Sequence, residues 1–199
     1  MLRILGGENK GRKLITPEGN DQTRPMGSRT REGLFNVLRG WFADARVLDL
    51  FAGVGTLGLE AVSRGAAMVW MVEQDREVYQ LLKQNVESCE MADRVKLVRA
   101  DALGEIALMA VHEPLDLVFI DPPFELVRNT EGLHTVLAQA KRVLHKMKPK
   151  SFLVIRLPQI EGDGPQIEGF DGPEHHQYGK EQHVFFYCPH HAAAATEQA

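Results

Sequence analysis

Between residues 46 and 156 the chain alternates short, continuous apolar runs with longer stretches whose apolar residues recur every three or four positions. The short runs predict strands at 47–50, 68–72, 94–98, 115–120 and 151–156. The periodic stretches predict helices at 56–64, 75–90, 103–111 and 130–146. Asp75 is placed to cap the second of these helices, and Gly65 stops the first. Such alternation builds βαβ units around a mostly parallel sheet, and strands without a polar face suit a sheet covered on both sides. Upstream, 4–5 and 13–15 read as short strands about a glycine-rich turn. A helix then runs from a Ser28 cap to about Trp41, with Leu34, Phe35, Val37, Leu38, Trp41 and Phe42 as its buried face. Beyond Leu157 the pattern weakens. Gly162, Gly164, Pro165, Gly169, Gly172 and Pro173 mark loops, 184–187 reads as a last strand, and the tail reads as disordered. The division expected is an N-terminal hairpin and basic extension (1–27), an α/β domain (28–189) and a tail (190–199).

Composition narrows the class. With 199 residues, 44% hydrophobic and 25% charged, the chain can bury a substantial core. No apolar run approaches the roughly 18 residues that span a bilayer, and the first residues lack a signal peptide's apolar segment. Two cysteines, Cys89 and Cys188, without a CxxC, exclude a disulfide scaffold and a cysteine zinc site. A reducing cytoplasm is the simplest setting, with no membrane partner and a monomer as the default. His175-His176 and His190-His191 read as solvated loop histidines, not metal ligands. The net charge of -4 conceals an asymmetry. Residues 1–31 carry seven basic and three acidic groups, so a polyanion would prefer that segment.

The chemistry begins at Asp49-Leu50-Phe51-Ala52-Gly53-Val54-Gly55-Thr56-Leu57-Gly58. Gly53, Gly55 and Gly58 satisfy G-x-G-x-x-G between a strand and a helix. Glu73 ends the next strand, where a carboxylate can accept from two ribose hydroxyls, so an adenosine-containing cofactor is expected. Asp49 decides between two such cofactors. A carboxylate before the loop would repel a dinucleotide's pyrophosphate but suits the ammonium and sulfonium of S-adenosylmethionine. Asp49 can also simply brace the loop. Asp101 ends the third strand and is placed to accept from the adenine amino group, or to cap the following helix. Asp121-Pro122-Pro123-Phe124 ends the fourth strand, in the region where open α/β sheets bind ligands. Its prolines offer carbonyls without competing N–H groups. Asp121 and the Pro122 carbonyl can each take one N–H of an exocyclic amine, and Phe124 can stack on an extruded base. As a bare structural device, Asp-Pro-Pro also stops a strand.

Taken together, these segments resemble the RsmD-type family of bacterial 16S rRNA guanine-N2 methyltransferases. The resemblance also covers Lys10-Gly11-Arg12-Lys13-Leu14, Thr23-Arg24-Pro25 and Arg29-Thr30-Arg31-Glu32-Gly33-Leu34-Phe35-Asn36. It implies a class I methyltransferase domain, Rossmann-like with a mostly parallel seven-stranded sheet, preceded by a small β-hairpin extension. It further implies S-adenosylmethionine as donor and 16S rRNA, in a partly assembled small ribosomal subunit, as partner. By position, Asp49, Phe51, Ala52, Gly53, Gly55, Glu73, Gln74, Asp101 and Ala102 become the cofactor site. Asp121, Pro122, Pro123 and Phe124 become the catalytic set, and Arg12, Lys13, Arg24, Arg29 and Arg31 the RNA contacts. The chain departs from the family pattern at Met26, at Gly33 where alanine is usual, and at Lys180-Glu181. The rivals are an adenine-N6 DNA methyltransferase, an NAD(P)-dependent oxidoreductase on the same glycine loop, and a noncatalytic assembly factor that keeps a cofactor pocket.

Overall fold

A computed structural model describes residues 2–17, 26–112, 114–158 and 162–190. Seven strands form one sheet: β1 (Arg46–Asp49), β2 (Met68–Val72), β3 (Val95–Val98), β4 (Leu115–Ile120), β5 (Met147–Leu157), β6 (Phe170–Tyr178) and β7 (Gln182–Pro189). Their order is β3-β2-β1-β4-β5-β7-β6. β1 to β5 pair in parallel, and β7 runs antiparallel to both β5 and β6. This is the class I methyltransferase arrangement that the resemblance implies. Among the described residues, six α-helices complete it: α1 (Ser28–Val37), α2 (Gly58–Ser63), α3 (Arg76–Ser88), α4 (Glu105–Met109), α5 (Phe124–Val127) and α6 (Thr130–Val143).

Alternation along the strands sorts the side chains into two cores. Val47, Val69, Met71, Leu117, Phe119 and Val154 point to one face, where they meet Leu34 and Phe35 of α1, Leu59 of α2 and Leu82 of α3. Leu48, Trp70, Val72, Val118, Ile120 and Ile155 point to the other, against Ala107 of α4 and Val136, Ala140 and Val143 of α6. A sheet so covered explains why its strands show no polar face.

The N-terminal hairpin belongs to the first core. Ile4 N donates to Arg12 O (3.0 Å), Leu14 N to Leu2 O (3.0 Å), and Arg3 bridges Lys13. Ile4 and Leu14 are buried among α2 and α3 side chains. The hairpin is bonded to those helices through Leu5 N to Glu60 Oε2 (2.6 Å), Asn9 N to Ser63 Oγ (2.9 Å) and Ile15 N to Asn85 Oδ1 (2.7 Å).

Several expectations need correction. The N-cap of α1 is Gly27, not Ser28, and makes no side-chain cap bond. The helix ends at Val37, so Trp41 lies beyond it. Val37 and Trp41 are about 40% and 39% exposed, respectively, and do not share the buried face. Trp41 instead meets the Phe152 ring edge-on at 4.7 Å. β6 occupies a stretch read as loop. It is an edge strand with one exposed face, and its register shifts between Asp171 and Glu174, so neither apolar alternation nor an unbroken run marks it. His175 and His176 are therefore strand residues. The first pairs with His183 (2.8 Å) and the second with Glu174 (2.7 Å). The Asp75 cap is present as expected, its Oδ1 accepting from Glu77 N and Val78 N at 2.9 Å each. Residues 191–199 of the expected disordered tail, and Arg24 within 18–25, lie outside the described residues. Among those described, no helix is long and apolar enough to cross a membrane.

Candidate active site

Strand order reverses between β1 and β4, so their carboxyl ends diverge and leave a crevice, the place where open α/β sheets bind ligands. Asp49 closes β1, and the glycine loop follows it. Gly53 (φ +54°) and Gly55 (φ +95°) adopt left-handed backbone, and a Cβ on Gly55 would fall 2.7 Å from Leu82. Asp49 is 1% exposed. Its Oδ2 accepts from Gly58 N (3.0 Å), while its Oδ1 is buried with no partner. The loop-bracing role and an open acceptor are thus both present, on different oxygens. Burial, then the negative charge of Asp121, push the Asp49 carboxyl up to about 8, against a smaller downward pull from the Gly58 amide. A buried carboxylate oxygen left without a donor is a cation acceptor, and this fits an ammonium or sulfonium group. The oxygen is the structural feature that a methionine-bearing cofactor would satisfy.

Glu73, after β2, reaches back to the loop. Its Oε2 accepts from Gly53 N (3.0 Å) and its Oε1 from Asp75 N (2.8 Å). Burial raises its carboxyl above the ordinary value. Each oxygen keeps a second lone pair for a hydroxyl donor. Gln74 is exposed at the mouth, Phe51 is half-buried, and Ala52 is buried with its N donating to Val72 O (3.0 Å). Asp101 does not cap α4, which begins behind Gly104. Its Oδ1 accepts from Leu103 N (2.9 Å) and folds the loop on itself. Buried Gln139 of α6 donates to Ala102 O (2.7 Å), fixing that loop from below. Nothing local in the sequence signalled Gln139.

Across the crevice, Asp121 follows β4. Its Oδ1 accepts from Arg156 Nε, and the Arg156 guanidinium carbon sits 4.6 Å from the centroid of the Phe124 ring. Both ion-pair partners are nearly enclosed, with side chains 6% and 12% exposed for Arg156 and Asp121. Burial raises the Asp121 carboxyl, and the Arg156 charge opposes that rise. Pro123 O accepts from Leu126 N (3.0 Å) as α5 begins, so of the two proline carbonyls it is that of Pro122 that no backbone amide of the described residues takes. The sequence reading missed Arg156. The available signal was a lone charge inside the apolar run Phe152-Leu153-Val154-Ile155-Arg156-Leu157. The parallel register Ile120↔Ile155 then sets Asp121 beside Arg156.

The basic residues do not form one face. Lys13 and Arg29 are exposed. Arg12 is exposed but engaged, donating to Ser88 O (3.1 Å) and lying 3.8 Å from Glu90. Arg31 corrects the expectation of an RNA contact. It is 1% exposed, its Nη2 donates to Arg3 O (2.8 Å), and burial lowers its pKa despite the nearby Glu60 charge. Two residues beyond exposed Arg29, a little over half a turn of α1, it points inward under the hairpin. Gly33 on the same helix lies beneath Tyr178, whose Cε1 would fall 2.2 Å from an added Cβ.

A family model described as conserved hypothetical protein 95 matches residues 2–187. In Escherichia coli K12, ribosomal RNA small subunit methyltransferase D is 43% identical over 123 residues, 62% of this chain and 60% of that protein. The match therefore spans less than two thirds of that relative's length. In Bacillus subtilis, the putative rRNA methyltransferase YlbH is 35% identical over 169 residues, 81% of this chain and 89% of that one. The solved structure of the putative methyltransferase yhhF from Escherichia coli superposes with a TM-score of 0.76 at 29% identity, covering 94% of this chain and 98% of that one.

Proposed function

The chain belongs to the conserved hypothetical protein 95 family, the RsmD-type group, and on that premise we propose that it transfers a methyl group from S-adenosylmethionine to the exocyclic N2 of a guanine in small-subunit ribosomal RNA. The observation that carries the reading is the pairing across one crevice of an unsatisfied buried carboxylate, Asp49, with an amine-accepting end of strand, Asp121-Pro122. When bound, the donor supplies an electrophilic methyl on a sulfonium and leaves as the neutral thioether once the acceptor nitrogen has taken it. Asp49 Oδ1 receives the donor's ammonium, Glu73 the ribose hydroxyls, and the loop of Asp101 and Ala102 the adenine, with Phe51, Ala52, Gly53, Gly55 and Gln74 shaping the walls.

On the acceptor side, Asp121 Oδ2 and the Pro122 carbonyl each take one N–H of the guanine amine. That points the nitrogen lone pair at the methyl. Orientation of this kind can lower a barrier by several kcal/mol. Asp121 does not deprotonate the amine beforehand, because a carboxylate is far too weak a base for it. The methylated nitrogen, briefly cationic and far more acidic than the amine, gives its proton during or after transfer to Asp121 Oδ2, which already accepts that N–H, and from there to solvent. Phe124 stacks on the base, and exposed Lys13 and Arg29 meet phosphates of 16S rRNA in a partly assembled particle, the protein acting as a monomer in the cytoplasm.

The test is tritium transfer from labelled S-adenosylmethionine to unmodified small-subunit particles, with free rRNA and duplex DNA in parallel. N2-methylguanosine at one rRNA position is the expected product. Label in DNA adenine, or none anywhere while the donor binds, contradicts the reading.

A further inference from the structure

We propose that Arg156 is a positioning residue of the acceptor site, holding Asp121 by its edge and Phe124 by its face so that one carboxylate oxygen and one ring face remain for the incoming base. The inference rests on the methyl-transfer reading above, and adds a residue and a division of labour to it. The Nε edge of the guanidinium takes Asp121 Oδ1, and the guanidinium carbon lies over the Phe124 ring, 4.6 Å from its centroid. A planar, always-charged group can do both at once, which a lysine cannot. Two consequences follow from the geometry. With Oδ1 held by Arg156, Oδ2 is the oxygen of Asp121 free of a protein partner, and it takes one N–H while the Pro122 carbonyl takes the second. Phe124 can stack on a base through its uncovered face only, which sets the side from which the base enters.

Arg156 also governs the charge of Asp121. From the strands beside β4, the charged groups facing Asp121 are Arg156 on β5 and Asp49 on β1, with Glu73 acting on Asp49 in turn. The cleft that Asp121 and Arg156 share is otherwise lined by Met26, Leu34, Leu57, Phe119, Ile120 and Val154, all apolar. Among the described residues, Arg156 is the one cation set against Asp121, and its charge opposes the rise that burial imposes on that carboxyl. Asp49 cannot substitute, because its charge acts in the opposite sense.

Three variants separate these roles. Arg156→Gln removes the charge and shifts the acidic limb of the kcat profile upward by about one pH unit or more, the size expected for losing an adjacent opposite charge. Arg156→Lys keeps the charge but not the plane. It retains the wild-type limb while raising KM for the RNA acceptor about tenfold, within the range expected for a stacking contact. Phe124→Leu raises the same KM and leaves the limb in place. An unmoved limb in Arg156→Gln, or equal KM values in wild type and Arg156→Lys, overturns the proposal. A second readout is independent of turnover: carbon-13 NMR of aspartate-labelled protein follows Asp121 directly, and its titration moves upward in Arg156→Gln. If wild type methylates no RNA yet Asp121 shifts as stated, the methyl-transfer reading fails and the control of Asp121 by Arg156 stands. If RNA is methylated and Asp121 does not shift, the reverse holds.

Discussion

Asp49, buried, and Asp121, nearly enclosed, are neighbouring carboxylates at the ends of adjacent strands, and the protein treats them oppositely. Asp121 has a resident cation, Arg156, against one oxygen. Asp49 has the Gly58 amide on one oxygen and no hydrogen-bond partner on the other, and its carboxyl is pushed up to about 8 although the Gly58 and Phe51 amides pull it down. The same residue type is thus held ready to accept a hydrogen bond in one place, where it is partly exposed, and left wanting a positive charge in the other, where it is enclosed. The difference teaches which side of the crevice is complete in the free protein. The acceptor side carries its own counter-charge, whereas the donor side must receive one with its ligand. On the proposed reading, that ligand is the cationic methyl donor.

Removing Asp121 breaks the comparison most severely. Asp121→Ala should lower methyl transfer by about a thousandfold or more, since the acceptor amine loses its orienting group. Donor affinity, read by calorimetry, should hold or rise slightly, because Asp49 loses a repelling neighbour. The same variant strands Arg156 as an unpaired buried charge, which costs about 3–5 kcal/mol and should be visible in thermal melting. Retained turnover would remove Asp121 from the mechanism.

Asp49→Asn tests the other side, with two effects of opposite direction. Donor affinity should fall about a hundredfold, consistent with loss of a buried charge partner. Stability should rise, but only at high pH. An acid whose folded pKa lies above its unfolded value keeps its proton longer in the folded state. Wild type therefore loses stability as pH climbs from about 4 through about 8, and the amide does not. At pH 8.5 the variant should melt several degrees above wild type, and near pH 4 the gain should vanish. Equal melting temperatures at both pH values would show that Asp49 is not desolvated as its enclosure implies.

A smaller effect separates Arg29 from Arg31, two residues apart on α1. Neutralising exposed Lys13 and Arg29 together should weaken RNA binding about tenfold and reduce the salt dependence by nearly two counterions. Arg31→Ala should leave the salt slope unchanged, because that guanidinium faces Arg3 O inside the fold. A reduced slope in Arg31→Ala would mean that Arg31 turns outward to meet RNA.

What the sequence makes legible here is what local pattern can carry. The five parallel strands announce themselves as apolar runs, the Asp75 cap by residue type, and the crevice by a glycine loop and Asp121-Pro122-Pro123-Phe124. Long-range choices stay hidden. Arg156 lies 35 residues from its partner and is recognised only once β4 and β5 are in register. The burial of Arg31 depends on a hairpin folding over α1, which helical spacing does not encode. Gly33 reads as a weak helix position until Tyr178, far along the chain, is seen to occupy the space of its missing side chain. β6 hides because an edge strand with a bulge and a solvent face needs no apolar periodicity.

The most direct test of the division between the two carboxylates is calorimetric proton counting. Binding of S-adenosylmethionine at pH 6.5 is measured in buffers of different ionisation enthalpy. There the donor's ammonium is already charged, while Asp49, with its carboxyl at about 8, still holds its proton. The account predicts release of more than about half a proton per donor bound, shrinking as pH rises through 8 and absent in Asp49→Asn. Binding without proton release at pH 6.5 would contradict it, because Asp49 would then already be ionised before its cation arrived.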